Sequence, residues 1–166
     1  DNNTIRNNDI HDNATGIIVQ SVGGGGIGAG NVIQFNKIYN NPGPTGLHNY
    51  TVQGINASPN WWGDPTGPYH SPENTLGTGN AVSDNVGYSP WCTDEDCSGF
   101  GSSAPLARLL ITAVPESAVI PGSIELTITG QDSEGITRVN DSTTQVALTA
   151  DRGAAFDSNL LTLGNG

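Results

Sequence analysis

The feature that most constrains the fold of this chain is a 28-residue repeat near its beginning. Asparagine and isoleucine recur in the pattern Asn-x-Ile-x-x-Asn-x-Ile-x-x-Asn, first at Asn3, Ile5, Asn8, Ile10 and Asn13 and then at Asn31, Ile33, Asn36, Ile38 and Asn41. Gly16-Ile17 corresponds to Gly46-Leu47 at an offset of 30, so the second unit carries a two-residue insertion. A third, degenerate unit runs through Val52, Ile55, Asn56 and Asn60.

A repeat of this period is typical of a solenoid, in which each unit buries its apolar face on the next. The isoleucines are expected to point inward as stacked ladders. The asparagines suit the bends, where they bond local backbone and tolerate left-handed geometry, and stacked asparagines can hydrogen-bond along the ladder. Helical repeats do not fit the Asn, Gly and β-branched content, and the leucine framework of leucine-rich repeats is missing. We therefore predict a parallel β-helix with Ile5 over Ile33 and Ile10 over Ile38.

Two further motifs follow the repeats. They are Asn60-Trp61-Trp62-Gly63-Asp64-Pro65-Thr66-Gly67-Pro68 and Val82-Ser83-Asp84-Asn85-Val86-Gly87-Tyr88-Ser89-Pro90-Trp91. With the repeats, they make residues 1–91 resemble the C-terminal coils of right-handed parallel β-helix repeat proteins. That family is similar in fold to pectate lyases and is common among exported bacterial and archaeal proteins. The resemblance implies a fold and says almost nothing about activity.

Residues 92–106 are predicted to be a disulfide loop and a linker. Cys92 and Cys97 bracket four residues, and two cysteines so close in a chain of exported character most simply form a disulfide. A thiolate metal site would need more sulfur or imidazole ligands than lie nearby. Asp94, Glu95 and Asp96 inside the loop offer a candidate Ca²⁺ site, with an exposed acidic turn as the alternative. No other cofactor is predicted.

Residues 107–166 have a different texture. Ile124, Leu126 and Ile128 alternate with polar residues, as do Leu109, Ile111 and Ala113, and Val146, Leu148 and Ala150. Short alternating segments separated by turn residues predict a β-sandwich. The order of strands and turns resembles the bacterial Ig-like domains of adhesins and invasin-type proteins. The 60 residues fall short of the roughly 100 in a full sandwich. We therefore expect an all-β chain whose Ig-like domain is incomplete.

The charge of the chain narrows its partners and its location. Sixteen acidic residues face five scattered basic ones, for a net charge of -11. Binding to nucleic acid or to an anionic membrane needs clustered Lys and Arg, so neither partner is expected. No apolar run is long enough to span a bilayer. Together with the resemblance, these features predict an extracellular protein, secreted or at the cell surface, whose export signal lies outside this chain.

No catalytic site is predicted in the coils. Glycosidic acid–base chemistry needs two carboxylates on one face, but Asp9 aligns with Lys37, and His11 aligns with Tyr39. Three tryptophans are candidates either to stack on sugar rings or to cap the solenoid: Trp61, Trp62 and Trp91. Five asparagines begin candidate glycosylation triplets: Asn2, Asn13, Asn49, Asn56 and Asn140.

The leading functional hypothesis is a non-catalytic extracellular or cell-surface module with a structural or adhesive role. Open β edges at both ends predict self-association, head to tail, into a filament; the rival interpretation is that both ends continue into a longer polypeptide. Two alternatives are the non-catalytic C-terminal part of a polysaccharide-degrading β-helix enzyme and a carbohydrate-binding module. The expected partners are further copies of the chain, a polysaccharide or a cell-surface glycan.

Overall fold

The computed structural model of the protein describes residues 2–21, 30–43, 45–114, 124–141, 143–149, 155–156 and 160–163. Every helix or strand assigned in these residues is a β-strand, which confirms the all-β class. The same residues contain no helical segment with the length and apolar character needed to cross a bilayer. The chain divides into two compact units, residues 1–104 and 105–166.

The first unit is built from ten short strands. They are β1 (Thr4–Arg6), β2 (Asp9–His11), β3 (Ile17–Val19), β4 (Val32–Gln34), β5 (Lys37–Tyr39), β6 (Leu47–Asn49), β7 (Ile55–Asn56), β8 (Val86–Gly87), β9 (Trp91–Cys92) and β10 (Phe100–Ser102). Strands β1, β4, β7 and β8 form one parallel sheet. Parallel pairs also join β2 to β5 and β3 to β6, while β9 and β10 pair antiparallel.

The strand register follows the sequence repeat. Ile5 pairs with Ile33 and Ile10 with Ile38, both at an offset of 28, as predicted. Ile17 pairs with Leu47 at the predicted offset of 30. The second members of these pairs are buried, because chain lies on both sides of each: Ile33, Ile38 and Leu47. Strand β4 lies between β1 and β7, while β5 and β6 have a strand on one side and a bridge to Trp61 or Val82 on the other.

The third passage of the chain is shorter, with an offset of 24. Val32 pairs with Asn56 and Lys37 bridges to Trp61. This register places Ala57, which is fully buried, level with Ile33. Val52, which the sequence analysis includes in the third unit, is 93% exposed and takes no part in the buried ladder. Because the passage is four residues shorter than the repeat, the residue level with Ile33 is Ala57 and not Trp61.

Stacked asparagines connect the strand layers at the bends. Three ladders run Asn3–Asn31, Asn8–Asn36–Asn60 and Asn13–Asn41–Asn80. In each step the backbone N–H and Nδ2 of one asparagine donate to Oδ1 of the next, over 2.8–3.4 Å. Asn36, Asn41 and Asn60 also donate from Nδ2 to a backbone carbonyl of the preceding layer. The predicted hydrogen bonding between stacked asparagines is therefore confirmed.

Left-handed backbone occurs one residue before the ladder asparagines. Asn7 and Phe35 precede Asn8 and Asn36, with φ of 59° for Asn7 and 54° for Phe35. Asp12 and Asn40 do the same in the next bend, with φ of 57° and 51°. The sequence analysis predicts left-handed geometry for the asparagines in general. In the structure the two roles fall on adjacent residues: one has the left-handed backbone, and the next one stacks.

The tryptophan motifs form the aromatic part of the core. Trp62 and Trp91 are fully buried and Tyr88 is nearly so. Gly67, with φ of 78°, lies so close to the Trp91 ring that a β-carbon would come within 2.5 Å of it. The Trp91 indole donates from Nε1 to the carbonyl of Pro65 over 2.9 Å. The turn within the first motif is thus shaped to cover the Trp91 ring of the second motif.

The second unit contains β11 (Arg108–Val114), β12 (Glu125–Gln131), β13 (Thr137–Arg138), β14 (Gln145–Ala147) and β15 (Leu160–Thr162). Strands β11 and β12 pair antiparallel along seven residues, with Ile111 opposite Ile128. Strands β12 and β13 are also antiparallel, as are β14 and β15. The segment with Leu109, Ile111 and Ala113 lies in β11, and Leu126 and Ile128 lie in β12, as predicted. Of the third segment only Val146 lies in a strand, since β14 ends before Leu148. Ala150, and the turn that the sequence predicts at Pro121-Gly122, lie outside the described residues.

Candidate functional site

One groove of the first unit combines an exposed aromatic ring with charged side chains. It is lined by three short segments, Asn7–Asp9, 35–37 and 95–97, and has a volume of about 360 Å³. We call it the Phe35 groove. The first two segments are the equivalent bends of successive chain passages, and the third belongs to the disulfide loop. The repeat therefore provides two walls of the groove, and the loop provides the third.

Phe35 is the unusual residue of this groove. It has a left-handed backbone, where Asn7 occupies the equivalent position in the preceding bend. A side chain with a β-carbon pays about 1–2 kcal/mol for this conformation, and asparagine adopts it more readily than a bulky residue. The Phe35 side chain is not absorbed into the core, because the residue is 36% exposed. The guanidinium carbon of Arg6 lies 5.4 Å from the ring centroid, a cation–π contact.

Lys37 and Glu95 join the second and third walls. Lys37 Nζ lies 3.0 Å from Glu95 Oε2, although 58 residues separate them. The hydrogen bond to Glu95 raises the pKa of Lys37, and the charges of Asp96 and Asp9 raise it further. The side chains of Lys37 and Glu95 are 34% and 61% exposed, so the ion pair is solvent-screened and contributes little to stability. Its main consequence is that it joins the disulfide loop to β5.

The surface next to the groove carries His11 and Tyr39. Their rings stack with centroids 5.0 Å apart, on paired positions of β2 and β5, as the sequence alignment of His11 with Tyr39 predicted. His11 Nδ1 lies 2.7 Å from Asp12 Oδ2, and this hydrogen bond raises the pKa of His11. Burial raises the pKa of Tyr39, and Asp9 adds to the rise. The charges of Asp9 and Asp12 make a smaller contribution to both shifts.

The disulfide loop contains the predicted Cys92–Cys97 bond. Inside the loop, the Asp94 carboxylate accepts hydrogen bonds from the hydroxyl and backbone N–H of Ser98, and from the N–H groups of Asp96 and Gly99. The Ser98 hydroxyl makes the largest contribution to lowering the pKa of Asp94. The Asp94 carboxylate therefore stabilises the shape of the loop.

The candidate Ca²⁺ site at Asp94, Glu95 and Asp96 is not formed. Asp94 turns into its own loop and Glu95 turns to Lys37, so the three carboxylates do not converge. In the part of the chain that the structure describes, no three His, Cys, Asp or Glu side chains are placed to hold a metal ion together. Adjacent residues in a tight loop point in different directions, which three consecutive acids in a sequence cannot reveal.

The sugar-stacking hypothesis for the tryptophans is corrected by their burial. Trp62 and Trp91 are fully buried and Trp61 is 8% exposed, so none offers an open ring face to a sugar. The sequence analysis allows two roles for the tryptophans, stacking on sugar rings or capping the solenoid. Their burial supports a role in packing. The aromatic rings that do reach solvent belong to other residues, including Phe35 and Tyr50.

The candidate glycosylation residues differ in accessibility. Asn2, Asn13 and Asn56 are exposed, although Nδ2 of Asn13 donates to the carbonyl of His11. Asn49 is buried, and its Nδ2 donates to the carbonyls of Gln53 and Asn85, so this candidate was wrong for the folded protein. Asn140 is half-buried, and Ser142 of its triplet lies outside the described residues.

A second polar cluster surrounds His70, which sequence reasoning did not select. His70 is 8% exposed, with Nδ1 3.5 Å from Glu73 and Nε2 3.4 Å from Asp84. The Tyr88 ring lies 5.4 Å away, and burial raises the pKa of Tyr88 to about 12. These groups lie on the turns around the tryptophan motifs. Within the described residues, neither ring nitrogen of His70 makes a hydrogen bond, although both are buried.

Phe35 and the Lys37–Glu95 pair were also missed. Phe35 did leave a signal, since it breaks the repeat at a position that asparagine occupies one unit earlier. The ion pair left none, because the loop follows the repeats and has no periodic relation to them. A scan against protein-family models and searches of curated proteins and of solved structures found no match to this chain.

Proposed function

We propose that the chain is an extracellular, non-catalytic module with a structural and adhesive role, and that its contact site is the Phe35 groove. In this proposal, residues 1–91 are coils of a right-handed parallel β-helix and residues 107–166 are an Ig-like sandwich. The observation that carries the proposal is the groove itself: an aromatic side chain held exposed at a strained bend of an otherwise repetitive scaffold.

The structural role is supported by the way the layers are joined. Two pairs of parallel strands meet at the same offset of 28 residues, and asparagine ladders satisfy backbone and side-chain polar groups at the bends. Such repeated contacts make a stiff scaffold whose stability is the sum of similar layers. The location outside the cell is supported by the Cys92–Cys97 disulfide, because such bonds persist mainly in oxidising compartments.

The non-catalytic assignment is supported by what faces each acid across the paired strands. Asp9 is level with Lys37, and His11 is level with Tyr39. The Asp94 carboxylate holds its own loop and Glu95 is paired with a lysine. Glycoside hydrolysis needs one protonated and one ionised carboxyl group on either side of a bond, and none of these acids has that relation to another.

The test is a retention assay run beside an activity assay. Beads carrying the whole chain are passed over immobilised polysaccharides, protein-coated surfaces and a blank surface, and the same polysaccharides are assayed for released reducing or unsaturated sugars. We expect retention on at least one coated surface, weakened by Phe35→Asn and kept by Val52→Asn, with no sugar released. Sugar release that disappears in Asp9→Asn would overturn the non-catalytic role. Equal passage over every surface would overturn the adhesive role.

A second proposed activity, self-association, is favoured by strand β11. It pairs with β12 on one edge, and no other strand in the described residues lies on its outer edge. Leu110 is 46% and Ile111 is 56% exposed, on opposite faces of the strand. A seven-residue apolar edge strand accepts strands from other chains.

Leu110→Lys tests this second proposal, because charged edge residues oppose strand addition. Sedimentation velocity should show concentration-dependent association of the unmodified chain and less association of the variant. Val52→Lys, which adds the same charge at an exposed apolar position of the first unit, is the control. If the unmodified chain stays monomeric at high concentration, the result contradicts the proposal.

A further inference from the structure

We propose that the Phe35 groove binds a cationic side chain, a guanidinium or ammonium group, presented by a partner protein. The inference rests on the proposed adhesive function and names the chemistry of the partner. It is carried by three features of the groove: the surplus of negative charge on its walls, the exposed aromatic ring, and the two cations of the chain that already contact these groups.

The charge of the walls favours a cation. Three carboxylates line the groove, from Asp9, Glu95 and Asp96, and two cations stand against them, Lys37 in the wall and Arg6 at the Phe35 ring, so one negative charge is in surplus. The hydrogen bond to Glu95 raises the pKa of Lys37, and the charges of Asp96 and Asp9 add to that rise. The whole chain carries a net charge of -11, which adds long-range attraction for a basic partner and repels an acidic one.

The aromatic ring gives the groove a second means of attracting a cation. The face of an aromatic ring attracts guanidinium and ammonium groups within about 6 Å. Arg6 lies at this distance from Phe35, so the chain itself displays the contact. The ion pair between Lys37 and Glu95 shows a second kind of contact with a cation, that of an ammonium group with a carboxylate. A ligand that combines a cation with a short apolar stem can use both walls.

The backbone conformation at position 35 favours asparagine over phenylalanine. Asn7 occupies the same bend one layer earlier with nearly the same φ, and asparagine tolerates this conformation better. Phe35 also leaves more than a third of its surface exposed, so it contributes less burial than a core phenylalanine. A residue that strains the chain and stays exposed suggests a role in binding.

The chemistry of the groove is less suited to the other ligand classes. An anionic sugar or phosphate would meet three carboxylates. A neutral glycan would gain from the Phe35 ring but nothing from the surplus charge. A metal ion would need converging carboxylates, which the described residues do not provide. A cationic side chain uses both the ring and the charge.

The experiment measures binding of two labelled peptides to the whole chain by fluorescence anisotropy. One peptide alternates Arg with Gly and has blocked ends; the other has Glu in place of Arg. We expect the basic peptide to bind and the acidic one not to bind. Phe35→Asn should weaken the basic peptide about five- to tenfold while leaving the unfolding midpoint equal or higher, because the bend then matches that of Asn7.

Glu95→Gln provides a second variant that does not alter the bend, and it should weaken binding about threefold or more. Glu125→Gln is its control, because it removes the same charge from an exposed position of β12 in the second unit. Equal losses in Glu95→Gln and Glu125→Gln would reduce the binding to general attraction by an acidic protein and overturn the proposal. A neutral oligosaccharide that binds more tightly than the basic peptide would also overturn it, while leaving the adhesive function standing.

Discussion

At the scale of single residues, the protein depends on asparagines that act as connectors between layers. Asn36 is 1% exposed and uses its whole amide. Its Oδ1 accepts two hydrogen bonds from Asn8, and its Nδ2 donates to the carbonyls of Ile5 and Gln34 and to Oδ1 of Asn60. A buried polar group left without a partner costs more than a hydrogen bond contributes. The ladder asparagines are therefore structural residues, despite their polar character.

We expect Asn36→Ala to lower the free energy of unfolding by about 3 kcal/mol, because several buried polar groups lose their partners. Asn3→Ala is the matched control at the exposed end of another ladder, where water replaces the lost bonds; we expect a loss below about 1 kcal/mol. Urea unfolding of both variants, followed by tryptophan fluorescence, measures the difference. Equal losses in the two variants would contradict the role given to burial.

His11 provides a prediction about pH. The hydrogen bond to Asp12 raises its pKa in the folded protein, so its contribution to stability is fully present below the unfolded value of about 6.5 and is lost as the pH rises through the folded value. In Asp12→Asn, we expect the pKa of His11 to fall toward 6.5. NMR titration of the ring proton measures it. An unchanged pKa in the variant would show that Asp12 is not the cause.

At the scale of elements, the sequence predicted what the repeat controls and missed what it does not. The pairs Ile5–Ile33 and Ile10–Ile38 followed from a constant offset, because parallel strands of equal spacing stack like positions. The third passage is four residues shorter than the repeat, so the residue level with Ile33 is Ala57 and not Trp61. Asn80 joins a ladder by bonding Asn41, 39 residues earlier, and the 28-residue repeat does not predict a contact at this separation.

The Phe35 groove was predictable only in part, for a related reason. Its first two walls lie one repeat apart, so the pattern places Asn7 and Phe35 at equivalent bends. Its third wall is the disulfide loop, whose position depends on the ion pair between Lys37 and Glu95. A contact between a periodic scaffold and an irregular loop is set by the three-dimensional path of the chain. The sequence contains both partners without relating them.

The disulfide loop allows a prediction at this scale. The closed loop is short, so replacing both cysteines with alanine should lower the free energy of unfolding by about 2 kcal/mol. The hydrogen bonds to Asp94 remain in the variant, and the loop should therefore keep its shape in the folded state. Chemical denaturation measures the loss, and the Glu95-dependent binding of the basic peptide reports the shape. A thiol assay on denatured, unreduced protein should find no free cysteine.

At the scale of the whole molecule, net charge sets the conditions under which each proposed contact forms. A chain with a charge of -11 repels its own copies and attracts basic partners. Salt screens both effects, with a Debye length near 10 Å at 0.1 M and near 3 Å at 1 M. The two proposed activities should therefore respond to salt in opposite directions.

We expect association through β11 to strengthen between about 20 mM and 500 mM NaCl, because screening reduces repulsion between copies. Binding of the basic peptide to the Phe35 groove should weaken over the same range. Sedimentation velocity and fluorescence anisotropy, on one preparation of the chain, measure the two trends. If both contacts weaken together, charge repulsion does not limit association and the edge-strand proposal loses its electrostatic basis.

The asparagine ladders also bear on how such a chain can grow. A layer contacts its neighbours through the same few bonds, whichever layer it is, and a stacked asparagine needs only another asparagine above or below. Duplicating one 28-residue unit would lengthen the stack by one strand spacing, about 4.8 Å, without requiring new contacts. Gene duplication could therefore change the length of such a chain in steps of one repeat. A residue such as Phe35 makes one repeat different from the others.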